Sequence, residues 1–277
     1  MGYVWSPEQI EAYEGYYREV VYHFSGLSVG FTTTPEFVRE VLPPCLEPPA
    51  EPRGVVALSF GREEWNGVPT VAEEENVGGV WLWAKRDGVE GLYSLTVVVS
   101  GDMNVTTGRE SWGMPKKRGE SAFLHDGEQL YGYTERRGTR LIEVAATLGT
   151  ELEPFAEECP LFELKGWIAP DGDGLQDDPS LVVFDTRTSY KRARCMEAAL
   201  RLTGTLEDPV GDIPLVSVDE GLFYAGVETY RFRERVVLPD RDAYRPYIYG
   251  RQYDDWTARI RATPDVLAAP KPAGVGS

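Results

Sequence analysis

The order of apolar and polar positions predicts two short helices at the start of the chain. Residues 6–9, SPEQ, combine an N-cap residue, a proline at the first helical position and a glutamine at the third, and they predict a helix that ends near Tyr22. Residues 34–36, TPE, repeat this start signal before a run of apolar residues. Pro43 and Pro44 end the second predicted helix, because proline does not continue a helix.

From residue 55 onward, the pattern changes to short runs rich in β-branched and aromatic residues. The pairs Asp87-Gly88, Asp126-Gly127 and Arg137-Gly138 stand where tight hairpins need a positive φ. This pattern favours antiparallel β structure over alternating strands and helices. The predicted strands are residues 55–60, 79–84, 92–99, 121–124, 129–134, 141–148, 181–184, 198–203 and 221–232.

Many short strands at this spacing predict a mainly β (α+β) chain, with an antiparallel β-barrel or a strongly bent sheet and a few peripheral helices. A barrel of this size has an interior that can form a water-poor pocket or be filled by side chains. The 277 residues, 42% of them hydrophobic, suffice for a full core, so we expect a single domain over residues 1–263. We expect the Ala/Pro/Gly-rich tail, residues 264–277, to be disordered.

The acidic segment 169–180 is poor in apolar residues and is predicted to be a solvated loop. A calcium loop would need a glutamate at position 182, which is valine here. The two histidines lie far apart in sequence and the three cysteines lack CxxC spacing, so we expect no metal site and no disulfide framework. We also expect no cofactor.

Charge and the N-terminus narrow the classes of partner. The net charge of −17, from 28 basic and 45 acidic residues, disfavours binding to nucleic acid or to an anionic membrane. The first 19 residues contain charged side chains and no long apolar run, so neither a signal peptide nor a membrane span is expected. Together with the unpaired cysteines, this favours a reducing, cytoplasmic location.

Residues 108–117, GRESWGMPKK, carry the most informative chemistry, because they place two adjacent lysines behind a proline in a glycine-rich turn. A lysine attacks a ketone only as the neutral amine, and an exposed lysine with a pKa of about 10.4 is almost wholly protonated at neutral pH. Burial or a neighbouring cation lowers the pKa of a lysine and permits Schiff-base formation. In an arbitrary protein two adjacent lysines are usually a solvated basic turn, so the surrounding motif decides the interpretation.

This segment matches the GRE-x-x-G-x-PKK signature in order and spacing, and the chain resembles the acetoacetate decarboxylase-like superfamily. Residues 88–93, GVEGLY, resemble the family's glycine-rich hairpin, residues 37–47 its early helix, and residues 200–218 its closing strand and loop. The resemblance covers residues 24–237 and implies a divergent member rather than a true acetoacetate decarboxylase.

The resemblance implies that Lys116 is the Schiff-base lysine and Lys117 its cationic neighbour, the arrangement known for acetoacetate decarboxylase. Successive side chains of an extended segment point to opposite faces, so Lys117 need not lie near the Lys116 amine. We therefore expect burial to matter more than Lys117 for the reactivity of Lys116. Glu75 is preferred over its neighbours Glu73 and Glu74 as the catalytic acid or base.

Further residues of the motif are expected to serve the substrate. Glu110 is predicted to anchor the loop, and Arg109 to hold it or to contact substrate. Together with these two, Trp112 and Met114 complete the predicted substrate-binding part of the motif.

The chain departs from the family pattern where the β-keto acid is handled. Phe24, or its neighbour His23, stands at the position of the family's early arginine, and Ala57 and Leu58 fall near its first glutamate. Loss of an arginine that binds a carboxylate removes a strong and directional contact, so acetoacetate is disfavoured as substrate. Superfamily members that keep the lysine but perform aldol condensation and dehydration on 2-oxo acids resemble this chain more.

The segment 244–253 is rich in tyrosine and arginine and offers a second group of candidates. Tyr249 is a candidate proton donor over the pocket, and Arg251 or Arg245 a candidate carboxylate ligand. A surface helix or an oligomer contact rich in aromatic residues explains the same composition.

The sequence thus predicts a lysine Schiff-base carbon–carbon lyase for a small 2-oxo or 3-oxo acid, with aldolase-dehydratase chemistry favoured. One alternative is a decarboxylase of acetoacetate or of a larger β-keto acid. A second is a barrel that binds a small ligand without chemistry, which the aromatic residues Trp81, Trp83 and Trp112 would serve. The resemblance also implies a homo-oligomer.

Overall fold

The computed structural model describes residues 3–65, 68–69 and 75–252 of the chain. The helices are α1 (Pro7–Tyr17), α2 (Pro35–Val41), α3 (Asp102–Thr107) and α4 (Arg241–Gln252), with a π-helical turn at Gly108–Trp112 and a 3-10 turn at Pro209–Asp212. The strands are β1 (Glu19–Thr32), β2 (Arg53–Trp65), β3 (Val68–Pro69), β4 (Glu75–Arg86), β5 (Val89–Val99), β6 (Lys116–Arg118), β7 (Glu120–Asp126), β8 (Gln129–Arg136), β9 (Thr139–Leu152), β10 (Phe155–Lys165), β11 (Ser180–Leu202) and β12 (Ser217–Val237).

Seven strands close into a barrel, which confirms the predicted mainly β architecture. Their hydrogen-bonded order is β10-β5-β4-β2-β1-β12-β11, and β11 pairs back onto β10. The β10–β5 contact is short and parallel, with Leu161 opposite Leu92 and Phe162 opposite Tyr93. Strands β9, β8 and β7 extend the sheet from β11 and contact the barrel from outside.

The main hydrophobic core lies outside the barrel, between its wall and the β7–β9 extension. Leu58 and Val80 of the barrel belong to one buried cluster with Leu141 and Val144 of β9. The approach is close at Gly78, where a Cβ atom would lie 1.8 Å from Thr134 Oγ1. Because alternate residues of each strand face this outer core, the others are left to face the barrel interior.

A second buried cluster packs α2 and α4 against the barrel wall, through Val38, Ile248 and Phe162 among others. Both helices therefore lie at the periphery, as predicted. No helix in the described ranges is long and apolar enough to cross a membrane.

The first predicted helix was too long, because its last residues belong to a strand. The capping box at Ser6 and Gln9 is present, but α1 ends at Tyr17 and β1 begins at Glu19. Residues 20–24, VVYHF, are β-branched or aromatic and alternate between buried and half-buried positions, which suits a barrel strand better than a helix. The second helix begins at Pro35 as predicted, with the Thr34 side chain as its cap.

The predicted strands coincide with observed strands, although several observed strands are longer than expected. Residues 181–184 and 198–202 are two parts of the single 23-residue strand β11, and the second predicted strand extends one residue too far, to 203. Strand β10 was not predicted, because Pro160 and three glutamates interrupt its apolar pattern. Residues 169–179 form a loop, as predicted, and Leu175 of this loop makes an isolated bridge to Ile168; the last residue of the predicted segment, 180, begins β11. The predicted tail 264–277 lies outside the described residues.

Candidate functional site

The barrel encloses a cavity of about 620 Å³. Inward-facing side chains at alternate positions form its wall, for example Val55, Ala57 and Ser59 on β2. The neighbouring residues Val56 and Leu58 point outward into the hydrophobic core. Side chains therefore do not fill the interior, which forms a pocket of the size that small-molecule sites have rather than a packed core.

Lys116 projects into this cavity from the first position of β6. This strand runs parallel to β5 and sets Lys116 opposite Val97 and Lys117 opposite Val98. The Lys116 side chain is only 13% exposed, and its Nζ atom lies 3.6 Å from Glu75 Oε1. The predicted Schiff-base lysine and the preferred acid or base thus lie together in one enclosed space.

The two glycines of the motif make this placement of Lys116 possible. A Cβ atom on Gly108 would lie 2.4 Å from Lys116 Cδ, so the absence of a side chain there makes room for the lysine. Gly113 ends the π-helical turn with φ +82°, and a Cβ atom there would lie 2.6 Å from Lys165 Cβ. Single π turns are frequent at functional sites, and here the turn is followed directly by the segment that carries Lys116.

Glu75 is buried at the first position of β4, with 4% of its surface exposed. Burial raises the pKa of the Glu75 carboxyl, and the charge of Lys116 opposes this shift in part. The Tyr22 hydroxyl donates a hydrogen bond of 3.0 Å to the Glu75 main-chain carbonyl and fixes the start of β4 against β1. Glu73 and Glu74, the other candidates, lie outside the described residues.

Lys117 points away from the cavity into a buried ion network. Its Nζ atom donates to Asp208 Oδ1 at 2.8 Å and to the Glu207 carbonyl at 2.8 Å. Arg136 donates to the other oxygen, Asp208 Oδ2, at 2.6 Å. The structure therefore brings the Lys117 charge to Asp208, on the opposite side of β6 from the Lys116 amine.

The remaining residues of the motif divide between the cavity wall and the outside. Trp112 and Met114 line the cavity, and the Trp112 ring lies 5.5 Å from the ring of Tyr230. Arg109 is half-buried and Glu110 exposed, and neither is among the described residues that line the cavity. Lys165 fixes the turn by donating a 3.1 Å hydrogen bond to the Ser111 carbonyl.

Tyr249 and Arg251 lie on α4, outside the described cavity wall. The Tyr249 hydroxyl donates to the Gly174 carbonyl at 3.2 Å and so anchors the acidic loop. The Arg251 guanidinium is buried over the Tyr93 ring, 4.3 Å from its centroid. Burial lowers the pKa of Arg251 to about 9.

Glu163 on β10 connects Arg251 to the cavity wall. Its Oε2 atom is 3.9 Å from an Arg251 nitrogen, and its Oε1 atom accepts a hydrogen bond from Ser94, which lines the cavity. Burial raises the pKa of Glu163 well above its ordinary value. Arg251 is thus separated from the cavity by Glu163 and Ser94.

A polar row that the sequence analysis missed runs around the inside of the barrel. Its members are cross-strand partners of one another on five neighbouring strands, and all of them line the cavity: Glu63, Tyr22, Glu228, Thr188 and Glu157. These residues lie far apart in the sequence, and only the strand register brings them to the same height in the barrel. The alternation of polar and apolar residues along β12 indicates a strand with two different faces. It does not tell which of these faces points into the barrel.

Phe24 and Ala57, which the resemblance sets at or next to the family's arginine and first-glutamate positions, both line the cavity, whereas the alternatives His23 and Leu58 are not among its lining residues. The Phe24 ring packs edge-on against Tyr224, with centroids 5.3 Å apart. Across residues 3–65, 68–69 and 75–252, no cluster of three or more His, Cys, Asp or Glu side chains can hold a metal ion.

Known proteins resemble the chain in sequence pattern and in fold. The family model for acetoacetate decarboxylase matches residues 5–237, and no curated protein sequence matches. The enduracididine biosynthesis enzyme MppR, solved with the condensation product of pyruvate and imidazole 4-carboxaldehyde, has 15% identity over 79% of this chain and 88% of its own, with a TM-score of 0.64.

Two further solved structures share the fold. Acetoacetate decarboxylase from Legionella pneumophila has 19% identity over 77% of this chain and 87% of its own, with a TM-score of 0.62. An acetoacetate decarboxylase-like enzyme from Sphingomonas wittichii RW1 has 15% identity over 79% and 92%, with a TM-score of 0.64.

Proposed function

Because the chain belongs to the acetoacetate decarboxylase family, we propose that it is a Schiff-base lyase that acts on a small oxo acid. One observation carries the proposal. The Lys116 amine projects into an enclosed cavity, 3.6 Å from the buried carboxyl of Glu75. An amine that is shielded from water beside a proton-transfer group is what iminium formation requires.

Lys116 attacks the ketone carbon of the substrate, and the ketone oxygen leaves as water. The resulting iminium draws electrons from the adjacent carbon, so an α-proton or a carboxylate group can be lost to give an enamine. Glu75 is the proposed acid or base in these steps. Since burial raises its pKa, it exchanges protons closer to neutral pH than an exposed glutamate does.

Aldol condensation followed by dehydration is the favoured reaction. Phe24 and Ala57 line the cavity, and the resemblance sets them at or next to the positions where a decarboxylase would hold the β-keto acid. The cavity of about 620 Å³ is also much larger than acetoacetate requires. We therefore propose a pyruvate-like 2-oxo acid as the donor and an aldehyde as the acceptor, which together would occupy this space.

Two other functions fit specific features. The retained pair of Lys116 and Glu75 also suits decarboxylation of a β-keto acid larger than acetoacetate. The rings of Trp81, Trp83 and Trp112 line the cavity and suit a binder of small apolar ligands that performs no chemistry.

Borohydride reduction separates these functions. The protein is incubated with pyruvate or with acetoacetate, reduced, digested and mapped by mass spectrometry, with Lys116→Ala as control. We expect a pyruvate adduct on Lys116 and a condensation product when an aldehyde is added. Release of CO₂ from acetoacetate at an ordinary enzymatic rate would contradict the aldol proposal and favour decarboxylation. The absence of any adduct would favour a protein that binds a small ligand without chemistry.

A cytoplasmic homo-oligomer without a cofactor completes the proposal. Apolar side chains such as Leu124 on β7 and Phe232 on β12 are exposed and offer surfaces for association between copies. Light scattering coupled to size-exclusion chromatography tests the oligomer, since a monomer at micromolar concentration would contradict it.

A further inference from the structure

Glu228 and Tyr230 form a hydrogen-bonded pair on the inner face of β12. The Tyr230 hydroxyl donates to Glu228 Oε2 at 2.8 Å, and Thr188 Oγ1 donates to Glu228 Oε1 at 3.4 Å. Both members of the pair line the cavity, and Trp112 of the lysine motif packs on the Tyr230 ring. A carboxyl group thus stands on the wall of the same cavity as Lys116, held at both of its oxygens.

Tyr22 relates this pair to the catalytic candidates. It is the cross-strand partner of Glu228, and its hydroxyl donates to the Glu75 main-chain carbonyl. Burial, followed by the charges of Glu75, Glu63 and Glu228, raises the pKa of Tyr22. Tyr22 therefore connects the main chain of Glu75 to the strand that pairs with Glu228, and all three side chains line the cavity.

We propose that Glu228 is the catalytic acid that expels water after condensation, and that Tyr230 is the residue that positions its carboxyl. This inference rests on the proposed aldolase-dehydratase function. Two carboxyl groups in one site allow a base and an acid to act on neighbouring carbon atoms, which elimination of water requires. Burial raises the pKa of Glu228 and so keeps the acid protonated to higher pH than an exposed glutamate.

The protons balance over the cycle. In condensation, Glu75 removes a proton from the iminium, the enamine carbon bonds to the aldehyde carbon, and Glu75 returns the proton to the new alkoxide. In dehydration, Glu75 removes one of the two α-protons that remain on the donor carbon, the β carbon–oxygen bond breaks, and Glu228 gives its proton to the departing hydroxyl to form water. Hydrolysis of the conjugated iminium releases the product, and one proton returns from Glu75 to Glu228 through solvent.

The test measures how the product divides between the hydroxylated aldol and the conjugated, dehydrated acid. Wild type and Glu228→Gln are incubated with pyruvate and an aromatic aldehyde, and both products are quantified by mass spectrometry. In Glu228→Gln we expect the ratio of dehydrated to hydroxylated product to fall about 100-fold, since a general acid contributes at least that much. Trapping of pyruvate on Lys116 by borohydride is expected to persist, which also reports that the variant is folded.

A matched control comes from a second tyrosine–glutamate pair outside the cavity. Tyr131 donates to Glu143 between β8 and β9, and Glu143→Gln is expected to keep the wild-type ratio. Tyr230→Phe removes the hydrogen bond but keeps the ring, and its ratio is expected to fall about tenfold with the Lys116 adduct retained.

An unchanged product ratio in Glu228→Gln would overturn the inference alone, because the Schiff-base chemistry would still be present. Absence of a Lys116 adduct in the wild type would remove the proposed function, and this inference with it. A loss of the adduct in Glu228→Gln, when the thermal unfolding of the variant matches that of the wild type, would also overturn the inference, since Glu228 would then act before dehydration.

Discussion

Lys116 and Lys117 are neighbours in sequence, but they occupy opposite sides of β6 and very different surroundings. Lys116 faces an open cavity and has a carboxylate at 3.6 Å. Lys117 is buried, donates to Asp208 at 2.8 Å, and shares that carboxylate with Arg136. Two identical side chains therefore have different surroundings, because successive residues of an extended segment face opposite ways.

The comparison shows which of the two amines is available for chemistry. The Lys117 ammonium is held by two acceptors at 2.8 Å, and freeing it for reaction would leave Asp208 short of a buried partner. The contact of Lys116 is longer than a hydrogen bond, and the cavity beside it can receive a substrate. We thus expect changes on the inner side to affect activity and changes on the outer side to affect stability.

The largest effect is expected on the inner side, from Lys116→Ala. Without the nucleophile no iminium forms, so turnover should fall by at least about 10⁴-fold, and the borohydride adduct should disappear. Thermal unfolding should stay close to wild type, because the side chain lies at the cavity wall rather than in the core. Steady-state kinetics measures the turnover and calorimetry the thermal unfolding. A variant that retains turnover would contradict the role of Lys116.

On the outer side, Lys117→Met should mainly destabilise the fold. Removal of one partner of a buried ion pair costs about 3–5 kcal/mol, here reduced because Arg136 still contacts Asp208. Urea denaturation measures the loss, with the exposed Lys191→Met as control, for which a change below about 0.5 kcal/mol is expected. If Lys117→Met were as stable as this control, the ion network would have no structural role.

Glu75→Gln tests the proton-transfer partner of Lys116. Turnover should fall about 100-fold, because the amide cannot accept the α-proton. In the wild type, activity should rise as the pH passes the raised pKa of Glu75, since the base must be ionised. The variant should lose this acidic limb of the pH–rate profile. If the acidic limb were the same in the variant, a titrating group other than Glu75 would be responsible for it.

The same variant, Glu75→Gln, should lose turnover but gain stability at neutral pH. Because the folded-state pKa of Glu75 is raised, the unfolded protein ionises first as the pH increases. The contribution of Glu75 to stability is therefore present below its unfolded pKa and is lost as the pH rises through the folded pKa. Glu75→Gln should match the wild type in acid and exceed it in unfolding free energy at neutral pH.

The smallest effect is expected from Gly108→Ala, which narrows the space that Lys116 occupies. The added Cβ would lie 2.4 Å from Lys116 Cδ, so the flexible lysine must shift its amine. A displacement of this kind should slow adduct formation about tenfold. Gly15→Ala is the control, because a Cβ atom there meets nothing within 4 Å. Equal adduct rates in both variants would show that Lys116 does not depend on this glycine.

Much of the fold could be predicted from residues that act locally. Both residues of Asp87-Gly88 and of Arg137-Gly138 have a positive φ, as does Gly127, and the predicted strands beside these turns are present. Strand β1 was not predicted, and its first residues were assigned to the helix, because no glycine or proline separates Tyr17 from Glu19 and the helix signal continues into the strand. Strand β10 was missed because Pro160 and its acidic neighbours hide the apolar residues that close the barrel.

The residues of the site also divide into those that the sequence predicted and those that it did not. Lys116 and its glycines form one continuous motif, so the sequence alone pointed to them. Glu228 and Glu157 belong to no recognisable motif in the sequence, and only the pairing of β10, β11, β12 and β1 brings them to the same height in the barrel as Tyr22. Their presence in the cavity is a property of strand register, which a single sequence does not specify.

The most direct test of the contrast between the two lysines is the position of the borohydride adduct in wild type and in Lys117→Met. Digestion after glutamate keeps both lysines of the wild type in one peptide, SWGMPKKRGE, and fragmentation then assigns the modified residue. We predict a pyruvate adduct on Lys116 in both proteins when the variant is folded. An adduct on Lys117, or loss of the adduct in the folded variant, would contradict the assignment of chemistry to the inner lysine and structure to the outer one.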